Sequence, residues 1–198
     1  MKTILTDLDL HLFNEGNHYR IYEKLGSHAV TIDGVAGLHF AVWAPNADRV
    51  SVVGDFNQWD GRSHVCEPVA SSGIWATFIP GLAYGEKYKY EVRARGGAIV
   101  LKADPYARRF EVPPRSATIA WETSGYQWGD AEWLAARAAG GNHLDRPVSV
   151  YEVHLGSWRR GLGNESPTYR DLAEHLVPYV KEMGYTHVEL LPVMEHPF

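Results

Sequence analysis

Hydrophobic periodicity changes once along this chain, near residue 115, and that change restricts the fold more than any other feature. From about residue 27 to residue 95, apolar residues recur at every second position in short runs broken by turn signals. Leu38, Phe40 and Val42 alternate with His39, Ala41 and Trp43 until Pro45-Asn46 closes the run. Val50 and Val52 lead into Gly54-Asp55-Phe56-Asn57-Gln58-Trp59-Asp60-Gly61, a segment rich in turn formers. Ile74, Ala76 and Phe78 end at Pro80-Gly81; Tyr88, Tyr90 and Val92 alternate with Lys89, Glu91 and Arg93 and stop at Gly96-Gly97. Period-2 runs with turns at intervals of roughly 8–15 residues predict an antiparallel sandwich or barrel. Each strand should bury one apolar face and expose a charged one.

The last 50 residues follow another pattern. Residues 148–155 read as a strand. Thr168 caps a helix, with Asp171 three residues on completing a capping box. Leu172, Leu176, Val180 and Met183 mark its buried stripe, and Gly184 stands where a C′ glycine belongs. Pro178 removes a backbone hydrogen bond inside this helix, and a kink is expected there. Residues 188–193 form a nearly all-apolar run, the pattern of a strand covered on both faces. Strand, helix and apolar strand make one βαβ unit with parallel strands. Such a unit belongs to a larger sheet, yet only five residues follow Val193. Between the two patterns, Pro113-Pro114 reads as an extended linker. Residues 130–137 read as a short helix ended by Gly140-Gly141. Before the first strands, residues 6–24 hold a short helix and a loose segment interrupted by Asn14-Glu15-Gly16-Asn17.

Composition excludes several classes. With 19 Lys and Arg against 24 Asp and Glu, the net charge of −5 lacks the basic excess of a nucleic-acid partner. Hydrophobic residues at 45% and charged residues at 22% exclude a disordered chain. The single cysteine, Cys66, leaves no intrachain disulfide, fits a reducing compartment and reads as an inert thiol. No window of 18 uncharged apolar residues exists, so no membrane span is expected. Asp7 and Asp9 come too early for a signal peptide. The expectation is a cytoplasmic protein.

Few residues carry recognisable chemistry. An indole held on the turn at Trp59 presents a flat face that can stack on a sugar ring, and the neighbouring Asn and Asp can bond hydroxyls. From residue types alone, Phe56 and Trp59 serve equally well as plugs for the end of a sandwich. Retaining glycoside chemistry needs two carboxyl groups about 5–5.5 Å apart. Glu152 and Glu189 lie within strands and Glu195 follows the second, and all three read as structural. Ten histidines lack metal-ligand spacing, so no metal site is expected. Gly161-Leu162-Gly163 is a bare Gly-x-Gly, and the sequon Asn164-Glu165-Ser166 is followed by Pro167. Ser157, Trp158 and Arg159 follow the first parallel strand, where they line a cleft or pack as an ordinary loop.

Several longer stretches resemble one family. Trp43-Ala44-Pro45-Asn46-Ala47, the run from Val50 to Trp59, Tyr88-Lys89-Tyr90 and Lys102-Ala103-Asp104-Pro105-Tyr106-Ala107 resemble the N-terminal carbohydrate-binding module of glycogen branching enzymes. Isoamylases and the glycogen-binding domain of AMP-activated kinase β subunits share the module more distantly. Residues 151–159 and 189–198 resemble the opening of the branching-enzyme catalytic barrel, so the likeness runs from about Leu10 to Phe198. It implies an all-β immunoglobulin-like sandwich followed by the first βαβ unit of a truncated (β/α)8 barrel. The division it suggests is a linker and helix over 1–27, a sandwich over 28–115, a connecting segment over 116–145 and the start of the barrel over 146–198.

The resemblance also implies an activity. Branching enzymes cleave an α-1,4 bond through a covalent glucosyl intermediate and transfer the chain to a 6-hydroxyl, without an organic cofactor or metal. The implied partner is an α-glucan, either glycogen or a linear maltooligosaccharide. By the same resemblance, Trp59 stacks on glucose and Lys89, on the face opposite Tyr88 and Tyr90 and therefore exposed, approaches hydroxyls. The second stacking tryptophan of the kinase-type modules is replaced by Arg95-Gly96-Gly97-Ala98. No Asp-x-Val-x-Asn-His, Gly-Phe-Arg-x-Asp or His-Asp element occurs, so no catalytic residue is expected in this chain. Alone it should be inactive, packing in its parent against the remainder of the barrel. Two alternatives are a non-catalytic glycan-binding module and a related isoamylase or trehalose-forming enzyme; the segments around Tyr151 and Met194 favour branching.

Overall fold

Every alternating run of the first half is a strand in the computed structural model, which describes residues 2–140, 146–161 and 163–193. The strands are β1 (Gly26–Ile32), β2 (Val35–Trp43), β3 (Ala47–Gly54), β4 (Glu67–Pro68), β5 (Ile74–Pro80), β6 (Lys87–Ala94), β7 (Ile99–Lys102) and β8 (Thr118–Ile119). One sheet runs β1-β2-β5-β4; the other runs β3-β6-β7, with β8 also pairing β6. All these pairings are antiparallel. Leu38, Phe40 and Val42 of β2 and Ile79 of β5 pack into one core with Val50 and Val52 of β3 and Tyr88 and Tyr90 of β6. Each such side chain contributes about 1.5–3 kcal/mol when fully buried. That is the alternation read from the sequence, expressed as a sandwich.

The alternation fails as a guide on β2, where His39 and Ala41 are buried along with their apolar neighbours. The reason is the segment that precedes the strands. Helix α1 (Asp7–Asn14) and the residues around it place Leu5, Leu25, Leu10, Phe13 and Ile21 against Ala41, Ile74 and Ala76. Residues 2–25 therefore act as a third layer over the outer face of the β2–β5 sheet. Thr6 caps α1 in a capping box with Asp9. Asp9 also accepts from the His18 ring at 2.8 Å and lies 3.4 Å from Lys24 Nζ. Burial pushes the Asp9 carboxyl up, but the His18 and Thr6 hydrogen bonds and the Lys24 charge outweigh it and hold the carboxyl at about 2. Under this layer, desolvation lowers the His39 imidazole to about 4.

The segment after β7 closes the sandwich through a buried acid. Asp104 accepts from Tyr88 Oη at 2.6 Å, from Tyr90 Oη at 3.1 Å and from the Tyr106 backbone N–H at 2.8 Å. Its own N–H donates to Thr118 Oγ1 at 3.0 Å. Two core tyrosines meet at the carboxylate, and β8 meets the backbone N–H, of this single residue. The core runs on to Ala120, five residues beyond the 115 boundary expected from the sequence.

The chain divides into two compact units, one reaching Tyr126 and the other starting at Gln127. The second holds α2 (Ala131–Gly140), β9 (Val150–Val153), α3 (Tyr169–Glu182) and β10 (His187–Leu190). Strands β9 and β10 are parallel, with Val150 opposite His187 and Val153 opposite Leu190. This is the expected βαβ unit. Thr168 and Asp171 form the capping box, and α3 continues without a break through Pro178. Leu172, Leu176 and Val180 pack on Val153, but Met183 does not join the stripe. It is the C-cap residue, past the last turn that faces the strands, and stands exposed. Nor is β10 covered on both faces. All four of its residues are exposed, because α3 packs on Val153 and Tyr151 of β9 instead. Gly141, Leu162 and Glu195, all singled out in the sequence, lie outside the described residues.

Burial raises the Asp104 carboxyl to about 6 despite its three hydrogen-bond donors. The folded state therefore holds this proton more tightly than the unfolded chain does, whose carboxyl titrates near 3.8. The resulting stability is present below pH 4 and is lost as pH rises through 6, a change of about 3 kcal/mol. The buried His39 imidazole, held at about 4, acts in the opposite sense over the same range. The reading is therefore the difference between the protein and Asp104→Asn in urea unfolding at pH 4, 5 and 6: the variant should lose the Asp104 contribution and keep that of His39. Asp9, with its depressed carboxyl, loses its contribution only on acidification toward pH 2 and does not overlap that window.

Candidate functional site

Strand β3 ends at a residue that admits no side chain. A Cβ on Gly54 would overlap the Lys87 carbonyl oxygen and the Phe56 ring. The chain then makes one 3-10 turn over Asp55–Asn57 and passes through two left-handed residues, Gln58 at φ 56° and Trp59 at φ 61°. A bulky aromatic with positive φ costs on the order of 1–3 kcal/mol, a conformation kept only where surrounding bonds enforce it.

Those bonds centre on Asn57, which is buried. Its Oδ1 accepts the Gly54 N–H at 2.9 Å. Its Nδ2 donates to the Val52 carbonyl and to His64 Nδ1, each at 2.9 Å. Both amide hydrogens are used, so His64 carries its own proton on Nε2, and partial burial lowers its pKa. The Trp59 N–H donates to the Gly54 carbonyl at 2.9 Å, and its indole Nε1–H donates to Asp55 Oδ1 at 2.9 Å. The ring is tied at backbone and edge, while Trp59 remains 37% exposed. A flat aromatic face held in place at the surface can stack on a ligand with little loss of side-chain entropy.

The polar neighbours serve the turn. Asn57 is wholly engaged in the scaffold, and Asp60 grips Arg62 at 2.7–3.1 Å. The hydrogen bonds from Arg62 hold the exposed Asp60 carboxyl at about 2. Neither is free for hydroxyls in the way their residue types suggested. Lys89 likewise differs from expectation. It is half-buried, and its Nζ donates to Ser116 Oγ at 2.7 Å. The segment leading into β8 runs antiparallel beside β6, with Thr118 opposite Tyr88, and this brings Ser116 to Lys89. Two of the three ammonium N–H groups remain. Lys89 pairs in register with Val53, next to the Gly54–Tyr88 pair, so the sheet sets it beside the strand end from which the Trp59 turn springs.

Sequence reasoning took Asp55 only as a turn acid able to bond hydroxyls, and did not single out Lys87 or Ser116. Lys87 Nζ lies 3.8 Å from Asp55 Oδ2 and 3.5 Å from Glu111 Oε1, which links the acid holding the indole to β6. Its two-residue offset from Lys89 was the available signal, since i and i+2 share a strand face. Ser116 gave none, because its contact spans 27 residues.

In the second unit, Glu152 and Glu189 are register partners on exposed positions of β9 and β10. The loop after β9 packs on itself. Ser157 Oγ meets His154 Nδ1 at 2.8 Å, Trp158 Nε1 donates to Tyr151 Oη at 3.0 Å, and the Arg159 guanidinium lies 4.4 Å from the Trp158 ring centroid. Cys66 is buried in the sandwich core, and desolvation pushes its thiol up to about 12. Among the described residues, no group of three His, Cys, Asp or Glu is placed to hold a metal ion, and no helix is long and apolar enough to cross a membrane.

Residues 24–107 match the family model of carbohydrate-binding module 48, the isoamylase N-terminal domain. Over 97% of its length the chain is 54% identical to the 1,4-alpha-glucan branching enzyme GlgB of a Synechococcus species. Over 98% it is 55% identical to GlgB of Nitrosospira multiformis and of Rubrobacter xylanophilus. The chain spans only 26–27% of the length of these curated relatives, a share consistent with an N-terminal portion. Among solved structures, PulA of Klebsiella pneumoniae matches with a TM-score of 0.60 at 21% identity, covering 88% of this chain and 18% of that one. Pullulanase of Bacillus acidopullulyticus matches with a TM-score of 0.56 at 20% identity, covering 88% and 22%. These two likenesses concern the fold.

Gly54→Ala should destabilise the protein by about 1–3 kcal/mol, because backbone rather than a mobile side chain blocks the added methyl. Asn57→Ala should cost about 1–3 kcal/mol by stranding the Gly54 N–H and the Val52 carbonyl. Denaturant midpoints measure both, and Trp59→Ala, which leaves these bonds intact, should shift the midpoint far less.

Proposed function

We propose that this chain is the amino-terminal portion of a 1,4-α-glucan branching enzyme, and that its sandwich binds α-1,4-glucan at the Trp59 turn. The observation that carries the binding role is the indole fixed by Asp55 on a left-handed, Asn57-braced turn and left partly open. A glucose ring has an apolar face of axial C–H groups and a rim of hydroxyls. Trp59 supplies the stacking surface for the face, and Lys89 supplies its two uncommitted N–H groups to the rim. The carbohydrate-binding module match over residues 24–107 supports this reading.

The glucan-binding module expected over residues 28–115 extends through β8 to Ala120, so the connecting segment begins after residue 120 rather than at 116, and residues 146–198 open a (β/α)8 barrel. The parallel β9–α3–β10 unit supports the barrel assignment. The exposed apolar side chains of β10, Val188 and Leu190, are the surface on which further barrel elements would pack. The parent reaction breaks an α-1,4 bond by attack of an enzyme carboxylate and retains configuration through a covalent glucosyl intermediate. The 6-hydroxyl of a glucan then takes the chain and releases the carboxylate. The nucleophile and acid/base belong to the whole enzyme, and this chain contributes substrate capture.

Trp59→Ala should weaken the retardation of the chain in affinity electrophoresis through glycogen; unchanged retardation would place the site elsewhere. Lys89→Met, which keeps the aliphatic stem, should weaken it roughly threefold through loss of a hydrogen bond. Incubated with amylose, the 198-residue chain should form no α-1,6 linkages, as read by debranching and chain-length profiling.

A further inference from the structure

A second concave surface lies where β2 leads into β3. It encloses about 500 Å³ between Trp43 and Trp75, with Phe13 and Asn14 of α1 on one side and Pro45 and Ser71 on the other. We propose that this groove is a second α-glucan contact, separate from the Trp59 turn. The proposal rests on the reading of the sandwich as glucan-binding.

Its walls are built and fixed. Trp75 Nε1 donates to the Ala44 carbonyl at 3.0 Å, and the Ala44 N–H donates to the Gly73 carbonyl at 2.9 Å. Gly73 has φ 77°, and a Cβ on it would lie 2.8 Å from Pro45 Cβ and 3.0 Å from Trp43 Nε1, so the loop before β5 presses directly under the Trp43 edge. Phe13 meets the Trp43 ring edge-on, with centroids 6.1 Å apart. Despite these contacts Trp43 is 53% exposed. An indole braced from two sides yet open to solvent is costly to hydrate and ready to stack.

The chemistry of the lining selects the ligand class. None of the lining residues is ionisable; they are aromatic rings, prolines, small residues, two serines and one asparagine. A charged ligand would find no counter-charge there. A neutral polyol with an apolar ring face finds indole surface, and Asn14 and Ser71 on the lining offer an amide and a hydroxyl as partners for its hydroxyls. The groove and the Trp59 turn flank opposite ends of β3, whose eight residues span about 23 Å from Ala47 to Gly54. Two contacts so spaced would hold a polymeric glucan by avidity, where each alone holds it weakly.

The 198-residue chain, labelled with 5-fluorotryptophan, provides the test. Its seven tryptophan resonances are assigned by single substitutions and followed in 19F spectra during titration with maltoheptaose. The Trp43 and Trp75 signals should shift, and should still shift in Trp59→Ala. In that background Trp43→Ala should weaken maltoheptaose binding roughly tenfold, and Trp43→Tyr should restore part of the loss. A shift at Trp59 alone overturns this inference and leaves the Trp59 reading standing, whereas no shift at any tryptophan overturns both. Shifts of Trp43 and Trp75 on raising protein concentration without sugar would assign the groove to a second copy of the chain and overturn the proposal.

Discussion

Asp104 is the constraint on which the sandwich depends. A carboxylate removed from water costs several kcal/mol unless its lone pairs are met. Here Tyr88 and Tyr90, which are also core residues, supply the donors, together with the Tyr106 N–H. The hydroxyls of β6 can reach the acid only if β7 has turned back and the following segment has entered the core. The Thr118 hydroxyl must then accept from the Asp104 N–H, which fixes where β8 docks. Gly26, at the start of β1, approaches the same point, where a Cβ would press on Tyr106. Core packing, chain reversal and strand docking are thus coupled at one residue.

That coupling positions the candidate site from behind. Strand β6 carries the tyrosines on its inner face and Lys87 and Lys89 on its outer one. Fixing the tyrosines fixes where both ammonium groups emerge. The segment held by Thr118 also carries Ser116 to Lys89 and Glu111 to Lys87. On the other side, β3 stops at Gly54 because the Lys87 carbonyl leaves no room for a side chain there. The turn that follows is strained at Gln58 and Trp59 and stabilised by Asn57. The same arrangement that orients the indole also consumes the polar groups nearest to it in sequence.

The second unit is organised more simply. Thr168 and Asp171 start α3, three apolar residues along one face of it cover Val153, and Gly184 ends it in the left-handed region at φ 78°. Aromatic and hydrogen-bonded contacts among Tyr151, Trp158 and Tyr179 brace the loop after β9. The apolar side chains of β10, Val188 and Leu190, remain exposed.

Period and punctuation in the amino-acid sequence alone determined the sandwich, the parallel unit and the cap at Thr168, but left Trp59 open between a plug and an exposed face. These are local signals, in which a residue's neighbours two to four positions away decide its environment. The expectation of a solvated outer face on β2 failed because residues 2–25 return to cover it, and period-2 patterning cannot announce a third layer. The exposure expected for Lys89 failed for the same kind of reason, a contact 27 residues away. Asp104 gave no sign in sequence of being buried, since only folding brings Tyr88, Tyr90 and Thr118 around it. What the chain could form was written in spacing. Which polar groups stayed free for a ligand was decided by the tertiary structure, because a hydrogen-bonding group is available only when no distant partner has already satisfied it.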